Sequence, residues 1–134
     1  MSDEAKIPER FSGLRRLTGV AALGVWLVGM VFFGATVVHG GSMEPSIAPG
    51  DIVVYRRSVE GIRSGDIVLF EHPEWPHGVV HRVAEVLPDG RVVTRGDANP
   101  SADRDPLDRR RIRGVAAFVL PSGRAVREVV EALS

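Results

Sequence analysis

Ser42 lies in the hexapeptide Gly40-Gly41-Ser42-Met43-Glu44-Pro45, where two glycines allow backbone conformations that a side chain would forbid. Such a bend can present a hydroxyl while turning main-chain N–H groups toward a bound carbonyl. The same hexapeptide equally suits a plain solvated turn. A serine is a weak nucleophile unless a base stands beside it. Of the 17 Lys+Arg residues the single lysine is Lys6, which leaves sixteen arginines. With no cysteine, thiol nucleophiles, CxxC redox centres, Cys-based zinc sites and disulfides are excluded. The chain's histidines are His39, His72, His77 and His81, and imidazole is the side chain whose ordinary titration lies nearest neutral pH. His39 is three residues from Ser42, and His72 and His77 sit in the Pro-rich stretch EHPEWPHG, which reads as an exposed loop. His81 falls inside VVHRV, on the face it shares with Val79 and Val83 by strand alternation. There it is either a hydrogen-bonded core imidazole or a desolvated general base aimed at the serine.

A serine–imidazole pair works best with a carboxylate that holds the imidazole tautomer. The stretch TRGDANPSADRDP supplies Asp97 and Asp103, with Asp105 and Asp108 behind them. Its alternating Asp97, Asn99, Ser101, Asp103 and Asp105 imitate a calcium loop. Ala102 occupies the position that requires glycine, and Asp108 replaces the closing glutamate, so calcium is not expected. His72, His77 and His81 with Glu71 or Glu74 lack an HExxH pattern, so no zinc is expected either. Arg109-Arg110-Arg111 and Arg113 read as a solvated loop paired with its neighbouring acids.

These groups must be positioned by a small scaffold. The 134 residues allow one domain and an appendage, and 17 acids against 17 bases argue against a dedicated nucleic-acid binder. Leu17–Val38 is a charge-free run of 22 residues, a helix of roughly 33 Å against a hydrocarbon core of about 30 Å. It is too long for a signal-peptide core and no Ala-x-Ala site follows it, so it is expected to be a retained transmembrane helix. Lys6, Arg10, Arg15 and Arg16 precede it, and no Lys or Arg follows until Arg56. The positive-inside rule then puts residues 1–16 in the cytoplasm and a domain over 39–134 outside the cell membrane. Lys6 falls on the far side from Ser42, which leaves histidine as the conventional base.

Beyond the span, DIVVYRR (51–57), GDIVLF (65–70), VVHRVAEVL (79–87), RVVTR (91–95) and IRGVAAFVL (112–120) have strand length and Val/Ile content. Ala48-Pro49-Gly50 and Pro88-Asp89-Gly90 carry turn chemistry. In the tail, Val126, Val129, Val130 and Leu133 make one apolar helical stripe, expected to cap the sheet rather than lie on a membrane. The fold class is therefore mainly β and antiparallel-rich, with one N-terminal transmembrane helix and a short C-terminal helix.

A single span followed in order by GSMEPSIAPGDIVV, GDIVLF, VVHRVAEV, TRGDANPSAD and IRGVAAFVLP resembles the type I signal peptidases over about residues 37–121. With histidine in VVHRV, it is similar to that family's histidine-using, archaeal and endoplasmic-reticulum-type branch. The resemblance implies a mixed, mostly antiparallel β fold shared with self-cleaving repressor peptidase domains. It also implies that Ser42 is the nucleophile, His81 the general base and then acid, and Asp103 the orienting carboxylate, with Asp97 supporting the site. One departure is Gly40, where the family commonly has Ser or Thr whose hydroxyl helps bind the oxyanion. Backbone N–H groups, that of Ser42 among them, are then expected to form the oxyanion hole alone, with slow turnover or help from His39 as consequences. Neither the long inserted domain of the lysine branch nor a C-terminal span is expected, so the resemblance implies a minimal version.

The expected activity is removal of signal peptides from secretory preproteins at the outer face of the membrane, by a serine endopeptidase. Its partners are signal peptides and the lipid bilayer, with no nucleic acid, no cofactor and no metal, as a monomer or in weak association with the secretion machinery. Two alternatives stand beside it. One is a non-catalytic anchored β module that binds a partner or anionic lipid; the other is a maturation protease dedicated to one substrate. Self-cleaving repression is disfavoured, because a span occupies the place of a DNA-binding domain.

Overall fold

The computed structural model describes residues 10–133, and of residues 10–15 and Arg127 the backbone alone. Lys6 and the rest of the segment 1–9 lie outside the described residues. The chain divides after Val31 into a helical unit and a sheet unit. Helix α1 spans Arg10–Phe32, and the side chains from Leu17 to Phe32 are almost all exposed. Among the described residues no helix is long and apolar enough to cross a membrane.

The helix expected over Leu17–Val38 stops at Phe32, because Phe33–Val37 form strand β1. Hydropathy cannot distinguish these two states inside a uniformly apolar run. Pairing can: β1 lies antiparallel to β2 (Ile52–Arg56), with Phe33 opposite Arg56 and Val37 opposite Ile52. The β-branched Thr36 and Val37 suit the strand. Gly34 receives the Tyr55 ring so closely that a Cβ there would stand 2.4 Å from it.

The other strands are β3 (Ile67–His72), β4 (Trp75–Val86), β5 (Val92–Arg95) and β6 (Ile112–Leu120). They complete a six-stranded sheet in the order β1-β2-β6-β3-β4-β5, and each adjacent pair is antiparallel. β6 has the bounds expected from its sequence; the others shift by a few residues at their ends. The largest shift is in β4, which begins at Trp75. His72 pairs with Trp75, so the Pro-rich stretch is a tight hairpin and His77 is a strand residue.

Two apolar clusters hold the sheet unit. Ile62, Val68, Phe70, Val83, Val92, Leu107, Ile112 and Val115 form the first; Val38, Met43, Ile47 and Val53 form the second. Each fully buried side chain of this size contributes about 1.5–3 kcal/mol. Helix α2 (Ser122–Ala132) is fastened by its first turn, where Ser122 Oγ donates to Gly50 O at 2.7 Å and Gly123 N to Asp51 Oδ1 at 2.9 Å. Its stripe does not cap the sheet as expected: Val126, Val129, Val130 and Leu133 are more than half exposed. The amphipathic pattern makes the helix; nothing in the pattern obliges another element to cover it.

Candidate active site

Ser42 sits in the turn that joins Val38 to β2. Its neighbour Met43 is fully buried in the second cluster, and Ile47 N donates back to Met43 O at 2.9 Å, so the turn is pinned from inside. Outside, Ala98 N donates to Ser42 O at 2.9 Å. Gly96 lies against the same carbonyl, where a Cβ would meet Ser42 O at 2.6 Å. The serine backbone is thus clasped by the loop that follows β5.

His81 projects from β4 on the inner face, 8% exposed, in a T-shaped contact with Phe70 at 6.0 Å between ring centroids. Strand alternation puts it on the face of Val83, the burial expected from VVHRV. His81 Nε2 lies 3.1 Å from Ser42 Oγ, and Nδ1 lies 2.7 Å from Asp103 Oδ2. Three residues separated by 39 and 22 positions in sequence are therefore joined in one hydrogen-bonded series. Chemically, an imidazole whose Nδ1–H is taken by a carboxylate presents the Nε2 lone pair to the hydroxyl.

The other histidines are engaged elsewhere. His39 and His77 stack on each other with 5.2 Å between ring centroids, and His72 Nδ1 accepts from Glu74 N at 3.2 Å. The two leading aspartates also separate. Asp97 takes a bidentate pair from Arg82, Nε to Oδ1 at 2.9 Å and Nη2 to Oδ2 at 2.8 Å, while Arg82 Nη1 donates to Gly65 O at 2.9 Å. The Arg82 hydrogen bond holds the Asp97 carboxyl below the usual carboxylate range against the opposing effect of burial, and a Ser46 hydrogen bond lowers it further. Asp108 caps the short turn Arg109–Arg111 and pairs with Arg110 at 2.8 Å, which lowers its carboxyl to about 2. The arginine run is dispersed: Arg109 Nε donates to Gly90 O, Arg111 to Glu71 O, and Arg113 pairs with the Glu71 carboxylate.

Two groups at the site were not singled out from the sequence. Thr94, on β5 and 1% exposed, donates from Oγ1 to Asp103 Oδ2 at 2.6 Å. A threonine in a strand resembles any other β-former, so no sequence signal marks it. Arg82 had a signal of a kind. It faces Arg95 across β4 and β5, and two opposed cations need a nearby acid, which Asp97 provides. That signal becomes readable only once the strand register is known.

The family model for "Signal peptidase, peptidase S26" matches residues 13–99, more than half of the chain. The signal peptidase complex catalytic subunit SEC11 of Chaetomium globosum is 31% identical over 97 residues, covering 63% of this chain and 56% of that protein. The human signal peptidase complex catalytic subunit SEC11C is 36% identical over 93 residues, 63% of this chain and 48% of that protein. SEC11 of Komagataella phaffii is 37% identical over 75 residues, 50% of this chain and 44% of that protein. The chain spans about half the length of the curated relatives it matches. The matched segment holds the apolar run, Ser42, His81 and Asp97 and stops short of Asp103. The chain belongs to the signal peptidase family, peptidase S26, with its similarity running to the SEC11-type branch of that family.

Proposed function

We propose that the chain is a membrane-anchored serine endopeptidase that removes signal peptides from secretory preproteins at the outer face of the membrane. The observation that carries this reading is the series Ser42 Oγ–His81 Nε2 at 3.1 Å and His81 Nδ1–Asp103 Oδ2 at 2.7 Å. His81 takes the Ser42 proton as Oγ attacks the scissile carbonyl carbon, and Asp103 stabilises the imidazolium that forms. The oxyanion is held by backbone N–H groups that include Ser42 N. Collapse of the tetrahedral intermediate breaks the C–N bond, and His81 delivers its proton to the leaving amine. Water then deacylates the acyl-enzyme by the same steps in reverse, with Ser42 regaining its proton. Asp97 takes a supporting role: with Arg82 it braces the loop whose Ala98 N–H holds Ser42 O.

Anchoring rests on α1. Its charge-free helical part, Leu17–Phe32, is about 24 Å long at 1.5 Å per residue, short of a typical core. Local thinning of the bilayer and snorkelling of Arg16 make up such a difference at modest cost. The basic flank before Leu17 supports a cytoplasmic N-terminus. An enzyme and a signal peptide tethered to one bilayer meet at high effective concentration without a tight contact. The SEC11-type relatives are catalytic subunits of a signal peptidase complex, which supports association of this chain with further secretion subunits.

The test is cleavage of a preprotein panel by the detergent-solubilised full chain. Wild type is expected to cut after small residues, and Ser42→Ala and His81→Ala to lose that cleavage. Activity surviving in Ser42→Ala removes the nucleophile assignment. Asp103→Asn is expected to lose far more rate than Asp97→Asn, and the reverse order exchanges their roles.

A further inference from the structure

Asp103 lies on a surface loop, and its side chain is 28% exposed. Such a group has rotamers that point it to water, and only one setting places Oδ2 on the imidazole Nδ1–H. Thr94 constrains it twice. Asp103 N donates to Thr94 O at 2.8 Å, and Thr94 Oγ1 donates to Asp103 Oδ2 at 2.6 Å, the same oxygen that meets His81 Nδ1 at 2.7 Å. The threonine is itself held within the sheet. It is 1% exposed, is paired with Val83 of β4, and shares the inner face of β5 with the fully buried Val92. β-Branching leaves a threonine few χ1 settings, and a buried hydroxyl without its partner costs about 1–3 kcal/mol.

We infer that Thr94 is a positioning residue of the Ser42–His81–Asp103 site, its buried hydroxyl locking the Asp103 carboxylate onto His81 Nδ1. This rests on the serine-peptidase reading above and adds a fourth group to it. With Oδ2 accepting from both the hydroxyl and the imidazole, the ring keeps its proton on Nδ1, and Nε2 stays free to take the Ser42 proton. When the hydroxyl is lost, the carboxylate turns toward water. The imidazole is then released to the other tautomer, with its proton facing the serine and no lone pair to accept one.

The test uses the full chain in detergent, with Thr94→Val and Thr94→Ser assayed on a preprotein and thermal unfolding as the check on folding. Thr94→Val should lose about 10- to 100-fold in kcat, the scale of a small misplacement of a catalytic group, with KM essentially unchanged. Thr94→Ser keeps the hydroxyl and should stay within a few-fold of wild type. A residue that acts through Asp103 has nothing left to act on in Asp103→Asn. Adding Thr94→Val to that variant should therefore cost little further, whereas a purely structural residue gives additive losses. Wild-type kcat in Thr94→Val, or additivity in the double variant, overturns the inference. If Thr94→Val does not fold, Thr94→Ser decides, together with the low-field proton resonance of His81 Nδ1–H. Retention of both supports the inference, and loss of either overturns it. Cleavage persisting in Ser42→Ala would sink the serine-peptidase reading itself, separately from any Thr94 result.

Discussion

Gly96→Ala is the most direct way to disturb the nucleophile without touching it. An ideal Cβ at Gly96 stands 2.6 Å from Ser42 O and 2.8 Å from Asn99 Nδ2. The amide side chain can swing away, but Ser42 O is backbone and is already held by Ala98 N at 2.9 Å. Relieving the contact to an ordinary 3.4 Å requires a displacement of 3.4 − 2.6, or 0.8 Å, and even a tight 3.0 Å requires 0.4 Å. Ser42 Oγ starts 3.1 Å from His81 Nε2, already near the outer limit of about 3.2 Å for direct proton transfer. A shift of that size carries it beyond reach. Since a 1 Å misplacement can cost about 100-fold, a loss of about 10- to 100-fold in kcat is expected, roughly 1.4–2.7 kcal/mol of barrier. Gly96 is not among the glycines with positive φ, so its backbone dihedrals themselves do not disfavour alanine and the cost is confined to the contact with the serine turn. Preprotein cleavage and thermal unfolding should therefore separate: rate falls while the unfolding midpoint moves by a few degrees. Wild-type kcat at wild-type stability would refute the clasp between the loop after β5 and the serine turn.

The Arg82 hydrogen bond depresses the Asp97 carboxyl in the folded state, so its stabilisation is present above the unfolded carboxylate value of about 3.9 and is lost as pH falls through the lower folded value. Between pH 5 and strongly acid solution, Asp97→Asn should then lose less unfolding temperature than wild type; equal losses contradict the assignment. Gly40 has nothing within 4 Å of an added Cβ, so Gly40→Ser should fold normally and, by adding an oxyanion donor, raise kcat about tenfold or more. An unchanged rate would place the oxyanion away from that position. Met43, fully buried beside the nucleophile, should on change to alanine cost about 2–5 kcal/mol, read in denaturant unfolding, whereas Met43→Leu should cost under about 1.5 kcal/mol.

Much of the sheet was legible. The five Val/Ile-rich segments after residue 50 are all strands, because alternation and turn residues act locally. β1 was not legible: FGATV is as apolar as the helix before it, and only the partner strand β2 makes it a strand. The tail shows the converse. Its stripe forms α2, yet whether a face is covered depends on what else the chain places there, and Val129 and Val130 stay open.

At the site the division has the same cause. Residue types alone supplied a hydroxyl without any thiol, a lysine isolated near the N-terminus, and a histidine in an apolar strand pattern. These are facts of composition and local period; they made Ser42 and His81 candidates, and only the resemblance to the signal peptidases gave them roles. Hydrogen bonds are formed by atoms brought within about 3 Å, and sequence separations of 39 and 22 residues hold no such information. Tertiary structure therefore decided that Asp103 meets the imidazole while Asp97 meets Arg82, that His39 turns to His77, and that a buried Thr94 stands behind the carboxylate.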